Sequence, residues 1–140
     1  MFSKSTLLGT LFGALAFNIL GWGIYGYLTA DYFESQIIIA PNDAMDPLYM
    51  SLGSVLMAFA MANLYRRFSH GLHSFGDGIN FGLWIGFFAG FGFMLLQYGA
   101  MPLMTIEGTV LDAIIALPFY GLVGGTIGWA FALGAPQGIS

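Results

Sequence analysis

The sequence predicts an all-α fold: a transmembrane bundle of four helices, with both termini cytoplasmic. Three observations carry that expectation. The first is charge, with three Lys or Arg and seven Asp or Glu among 140 residues, 7% where an ordinary soluble domain has about 25%. The second is apolarity, 58% hydrophobic residues and a mean hydropathy of +0.81. A soluble domain of ~150 residues still exposes roughly a third of its chain surface, and this composition has too few polar side chains to cover it. The third is arrangement. Apolar runs at about 6–28, 47–66, 78–99 and 109–133 each approach the ~20 residues that a helix needs to cross ~30 Å of hydrocarbon. They fill nearly the whole chain, so one four-helix domain, 1–140, is expected.

The first span follows Lys4, and Ala14-Leu15-Ala16 imitates the cleavage site of a secretory leader. The apolar run continues to Leu28, well beyond the ~7–15 residues of a leader's hydrophobic region, so it reads as an anchor. Asp31, Glu34, Asp43 and Asp46 make the next segment an acidic loop. Asp46-Pro47 marks the second helix start, a capping carboxylate before a proline at the first helical position. Arg66-Arg67 closes that span. Ser74 with Asp77, and Thr109 with Asp112, have capping-box spacing ahead of the third and fourth spans. Pro118 predicts a kink in the fourth. Trp22, Tyr25, Tyr27, Tyr32, Tyr65 and Trp129 lie near span ends, where interfacial aromatic belts form.

Orientation follows from the basic residues. Four crossings put Lys4, Arg66 and Arg67 on one side, and Asp31, Glu34, Asp43, Asp46 and Glu107 on the other. The positive-inside bias makes the first side cytoplasmic. A net charge of −4 with only three basic residues argues against nucleic acid as a partner.

Glycine is the second anomaly, 21 residues, twice the usual share of about 7%. Gly9/Gly13, Gly82/Gly86/Gly90, Gly121/Gly125 and Gly124/Gly128 recur at four-residue spacing, which lines one helix face with small residues and predicts close helix packing. Trp84, Phe87, Phe88, Phe91 and Phe93 surround the third-span glycines with bulk. A 73-residue shift superposes Gly9 on Gly82, Gly13 on Gly86 and Tyr25-Gly26 on Tyr98-Gly99, a faint parallel repeat of the first and third spans.

Asp112 is the most informative ionisable residue, because it lies about a turn inside the fourth span. Intramembrane carboxylates mark ion or proton pathways, their burial costing ~2.5–3.5 kcal/mol at the bilayer centre. The plainer expectation is that Asp112 completes a helix cap with Thr109. Asn18, Asn63, Asn80 and Gln97 are the other polar residues of the spans, expected to make single interhelical hydrogen bonds. Gln97, Tyr98, Tyr25 and Asp112 all fall toward the external side and form the one candidate polar cluster or ion path. His70 and His73 are spaced to share a metal, yet only Asp77 is near enough in sequence to assist, so both read as solvated loop residues. Cysteine is absent, which removes disulfides, thiolate nucleophiles and Cys-ligated metals. There is no nucleophile elbow, phosphate loop or zinc-protease motif, and the chain is not expected to be an enzyme.

Gly21-Trp-Gly-Ile-Tyr25-Gly26 followed by Phe33-Glu34, and Leu111-Asp112-Ala113 followed by Gly121 through Gly128-Trp129, resemble the first and last helices of an uncharacterised family of small four-helix bacterial integral membrane proteins, a domain of unknown function. The third span resembles it more loosely. The resemblance implies a multi-pass protein of the bacterial cytoplasmic (inner) membrane and supplies no chemistry. The functional expectation is a non-catalytic structural or accessory subunit, self-associating or joining a larger membrane complex through Gly-lined and aromatic helix faces. The alternative is a small oligomeric transporter or channel with a polar path near Asp112. Expected partners are membrane lipid and other transmembrane helices. No cofactor or metal is predicted, though bound lipid is expected and a pigment or haem is left open.

Overall fold

A computed structural model of the protein describes residues 2–39 and 46–135. Asp43 of the acidic segment lies outside them. The described residues are all-helical, with one isolated antiparallel bridge between Ile37 and Met104. Four helices are long and apolar enough to cross a membrane: α1 (Lys4–Leu28), α3 (Pro47–Phe68), α4 (Phe75–Ala100) and α5 (Ile106–Gly134). The short α2 (Ala30–Gln36) joins the first two.

Helix starts are set by side-chain caps, because the first N–H groups of a helix lack backbone acceptors. Ser3 accepts from the Thr6 N–H ahead of α1, and the Asp46 carboxylate accepts from the Leu48 N–H at 2.9 Å ahead of α3. The Ser74 hydroxyl accepts from the Asp77 N–H at 3.0 Å and donates to the Asp77 carboxylate at 2.5 Å, opening α4. In α5 the cap is Thr105, whose hydroxyl accepts from the Gly108 N–H at 3.1 Å. The expected Thr109–Asp112 cap is therefore wrong. The helix begins a turn earlier, and the Thr109 hydroxyl donates back to the Thr105 carbonyl. All four long helices likewise start or end slightly outside the apolar runs, since capping residues are polar. Pro118 lies within an unbroken α5.

The fifth helix is the centre of the bundle. Half of its most apolar stretch is buried inside the protein, against 22% for each of the other three. α4 and α1 pack on α5, α3 packs mainly on α1, and α3 and α4 scarcely meet. The α4–α5 seam is glycine against backbone. A Cβ on Gly78 would lie 2.2 Å from the Gly124 carbonyl oxygen, and one on Gly82 would lie 2.0 Å from that of Tyr120. Gly86 and Gly90 meet Ala116 and Ala113 in the same way, at 2.7 and 2.8 Å. Each four-residue step along α4 matches a step back along α5, the register of two antiparallel helices. From α5, Gly124 and Gly128 return the contact against Gly78 and Ser74, whereas Gly121 and Gly125 receive the side chains of Leu83, Ile79 and Phe75.

On α1 the glycines do something different. Gly9 and Gly13 receive Phe131 and Ile127 of α5, with Ala62 and Ala58 of α3 on the other flank. The two spans related by the 73-residue shift thus share a partner but not a packing mode: side chain on α1, backbone on α4. The core joins Phe17, Ala58, Met61, Tyr65, Phe81, Val123, Ile127 and Phe131. Tyr65, expected in an interfacial belt, is instead fully buried, with ring centroids 5.3 Å from Phe131 and 5.6 Å from Phe81.

Lys4, Arg66 and Arg67 share one end of this bundle, called here the basic end. Every other described acid except Asp77 belongs to the opposite, acidic half. There, residues 37–39 lie against the chain leading into α5: Ile38 and Ile39 N–H groups donate to the Leu103 carbonyl, and Thr105 N–H donates to that of Gln36. The Thr105 hydroxyl also bonds the Gln36 side chain. This latch ties the end of α2 to the start of α5.

Candidate functional site

Two of the long helices are not α-helical throughout. Ile24–Leu28 of α1 and Phe87–Phe93 of α4 are π-helical. Such wide turns are rare and concentrate at functional sites, because they re-aim side chains at the expense of regular hydrogen bonding. Here both flank the same volume. The α1 turn presents Tyr25, the α4 turn presents Phe88, Ala89 and Phe93, and Asp112 of α5 faces the space between.

The Tyr25 hydroxyl donates to Asp112 Oδ1 at 2.6 Å, a contact across 87 residues of sequence. Asp112 is 5% exposed and lies six residues into α5, about 9 Å along the helix axis at 1.5 Å per residue. No other described residue makes a hydrogen bond to its carboxylate. A phenol–carboxylate bond is short and charge-assisted, worth roughly 1.5–3 kcal/mol, which offsets part of the cost of holding the acid at membrane depth.

Two cavities meet at Tyr25, and Asp112 lines one of them. One, of about 400 Å³, lies between α1 and the acidic-end half of α3, with Asn18, Trp22, Tyr49, Met50, Gly53 and Ser54 among its walls. The other, of about 380 Å³, contains Asp112 with Phe88, Phe93 and Met94. Tyr25, Met57, Phe119 and Tyr120 belong to both. Tyr25, Phe119 and Tyr120 form an edge-to-face aromatic cluster with centroid separations of 5.3–5.9 Å. The cavity exists because α3 is buried only at Ala58, Met61, Ala62 and Tyr65, all in its basic-end half. Toward the acidic end its side chains leave α1 and α5 unfilled.

The expected four-residue cluster is only half assembled. Tyr25 and Asp112 meet, but Gln97 and Tyr98 line a separate small cavity with Met94, Met101, Met104 and Thr109. The seven-residue π segment upstream of them changes the rotational phase of α4, so position along the span does not give their direction. Asn18 and Asn63 donate to the Ala14 and Phe59 carbonyls of their own helices, at 2.9 Å each, and not across helices. Asn80 is exposed. Sequence reasoning passed over Met57, Phe119 and Tyr120, which carry no polar or spacing signal. It also passed over Gly78, although Gly82/Gly86/Gly90 extends one step back to it.

At the basic end, His70 is exposed with a left-handed backbone (φ 48°), and Gly71 follows at φ 87°. His73 packs on Phe131 and Tyr65, and its buried Nδ1 has no hydrogen-bond partner. Burial lowers the imidazole below its usual pKa, and the Asp77 carboxylate partly restores it. Among the described residues, no three His, Cys, Asp or Glu side chains gather closely enough to hold a metal ion.

No protein family, curated protein or solved structure matches this chain. Its functional reading rests on its own geometry.

Proposed function

We propose that the protein is a non-catalytic integral membrane protein that takes an amphipathic guest from the outer leaflet. The basic end faces the cytoplasm, in keeping with the positive-inside bias, and the acidic end opens outward. The apolar part of the guest lies between α1 and α3, and its polar end meets Tyr25 and Asp112. The observation that carries this reading is the Tyr25–Asp112 bond at the junction of two cavities. A mostly apolar pocket of this size with a few convergent polar groups is the ordinary form of a small-molecule site. This is the polar-site expectation in a narrower form, a binding chamber in one half of the bilayer.

Gly53 offers a direct test. A Cβ there would meet nothing within 4 Å, yet the residue lines the larger cavity. Gly53→Phe should fill the chamber without touching helix packing. Native mass spectrometry of the wild-type chain from mild detergent should show one retained amphiphile per chain, absent in Gly53→Phe. Identical spectra would defeat the proposal.

The accessory-subunit reading retains one specific support. Leu48, Tyr49, Met50, Leu52, Val55 and Leu56 of α3 are exposed, and no described helix covers them. A partner helix on that face would close the chamber from the side. A stoichiometric second polypeptide in the same spectra would favour it.

A further inference from the structure

We infer that the guest is a lipophilic monocation, an alkylammonium or quaternary ammonium compound whose charge rests between Asp112 and the aromatic faces of Tyr25, Phe119 and Tyr120. This rests on the binding reading above and specifies the chemistry of its ligand. The first support is a missing countercharge. Asp112 is the buried acid among the described residues, one of its oxygens is held by Tyr25, and it borders a cavity. The whole chain has only three Lys or Arg residues. Lys4 lies 21 residues before Tyr25 on the same helix, about 30 Å away at 1.5 Å per residue. Arg66 lies nine residues beyond Met57, about 14 Å further along α3. Both histidines are also at that far end. The chain thus offers no cation that reaches Asp112, and a cationic guest would complete the ion pair.

The second support is the wall. Aromatic faces attract cations through their quadrupole, within about 6 Å of a ring centroid and most strongly for weakly hydrated ammonium groups. Phe119 packs edge to face on both Tyr25 and Tyr120 beside the carboxylate, and Trp22 lines the larger cavity. The third is the field. Asp31, Glu34, Asp46 and Glu107 share the acidic end with the chamber, and charges of one sign concentrate cations and repel anions at that end of the molecule. A bare metal ion fits poorly, because Asp112 belongs to no group of three His, Cys, Asp or Glu side chains among the described residues. An apolar body attached to the charge fits the remaining volume.

Equilibrium dialysis of the full chain in dodecyl maltoside, against protein-free micelles, reads this directly. The probes are decyltrimethylammonium and 1-decanol, which share a chain length and differ in charge. The wild type should bind the cation saturably at one per chain. Asp112→Asn should weaken that binding at least tenfold and leave decanol unchanged. Tyr120→Leu keeps the wall apolar and removes a π face, so it should weaken the cation alone by threefold or more, and it answers the question even if Asp112→Asn misfolds. Cation binding in Asp112→Asn within twofold of wild type, or decanol bound as tightly as the cation, would overturn the inference. In the second case, loss of decanol binding in Gly53→Phe would leave the binding reading standing. Saturable binding of neither probe would defeat both.

Discussion

The α4–α5 seam and the chamber around Tyr25 and Asp112 share two helices, with α1 and α3 completing the chamber, yet they solve opposite problems. Along the seam, Gly78, Gly82, Gly124 and Gly128 bring backbone onto backbone and leave no room for a methyl group. In a membrane, lipid is as apolar as the side chains, so close van der Waals contact is what draws helices together. Around Asp112, the α1 π turn, bulky aromatics and a splayed α3 leave space beside α5, while Gly90 still holds the α4 π turn against Ala113. Glycines there, such as Gly21 and Gly53, meet nothing within 4 Å. The same residue type therefore closes the α4–α5 seam and leaves space between α1 and α3. What differs is whether a partner backbone faces it.

The largest expected effect tests that contrast on the closed side. Gly82→Ala would place a methyl group 2.0 Å from the Tyr120 carbonyl oxygen, and backbone on both sides cannot swing away as a side chain would. Overpacking costs typically 1–3 kcal/mol, and this site should reach about 3 kcal/mol or more. Thermal unfolding of the purified protein in detergent should show the loss. A wild-type-like midpoint would mean that the seam yields to admit a methyl group.

Tyr25→Phe comes next, on the open side. It removes the donor to Asp112 and leaves a nearly buried carboxylate unpartnered, at an expected cost of about 1–3 kcal/mol. Asp112→Asn should cost less, because the amide oxygen still accepts from the Tyr25 hydroxyl. An inverted ranking would make Asp112 a residue tolerated without Tyr25, and the pair would lose its structural standing.

Much of this architecture was legible in the chain. Apolar run length marks each long helix, because a span must satisfy its backbone internally and needs about 20 residues to do so. Glycine spacing on 82, 86 and 90 pointed at one helix face, and that face is the one against α5. Less legible was anything that depends on rotation or on distant contact. Thr109 and Asp112 have capping spacing, but Thr105 has the same chemistry one turn earlier and is the residue that caps. Tyr25 and Asp112 are placed at one level by topology, whereas Gln97 and Tyr98, at a similar level, are turned elsewhere by a π segment that no residue pattern announces.

Gly53→Ala is a smaller effect of opposite sign. With nothing near its Cβ position, the substitution adds no clash and relieves the helix of a flexible glycine, which costs about 0.5–1 kcal/mol relative to alanine. The midpoint should hold or rise. A fall comparable to that of Gly82→Ala would show α3 packed against something at this position, and the chamber would be closed.

The smallest expected effect lies at the basic end, beyond the spans, where His73 contacts the closed half. Its pKa is lowered in the folded protein by burial against Phe131 and Tyr65, with Asp77 pulling the other way. The unfolded chain titrates near the ordinary value of about 6.5, so below that pH it binds more protons than the folded protein. Stability is therefore level above about pH 6.5 and declines as the pH falls through that value toward the folded-state pKa. His73→Phe keeps a ring of similar size in place and has no proton to gain. Its unfolding midpoint should stay flat between pH 7 and about 5.5, while that of the wild type drifts down. Equal drift in both proteins would assign the dependence to other groups and leave His73 as packing alone.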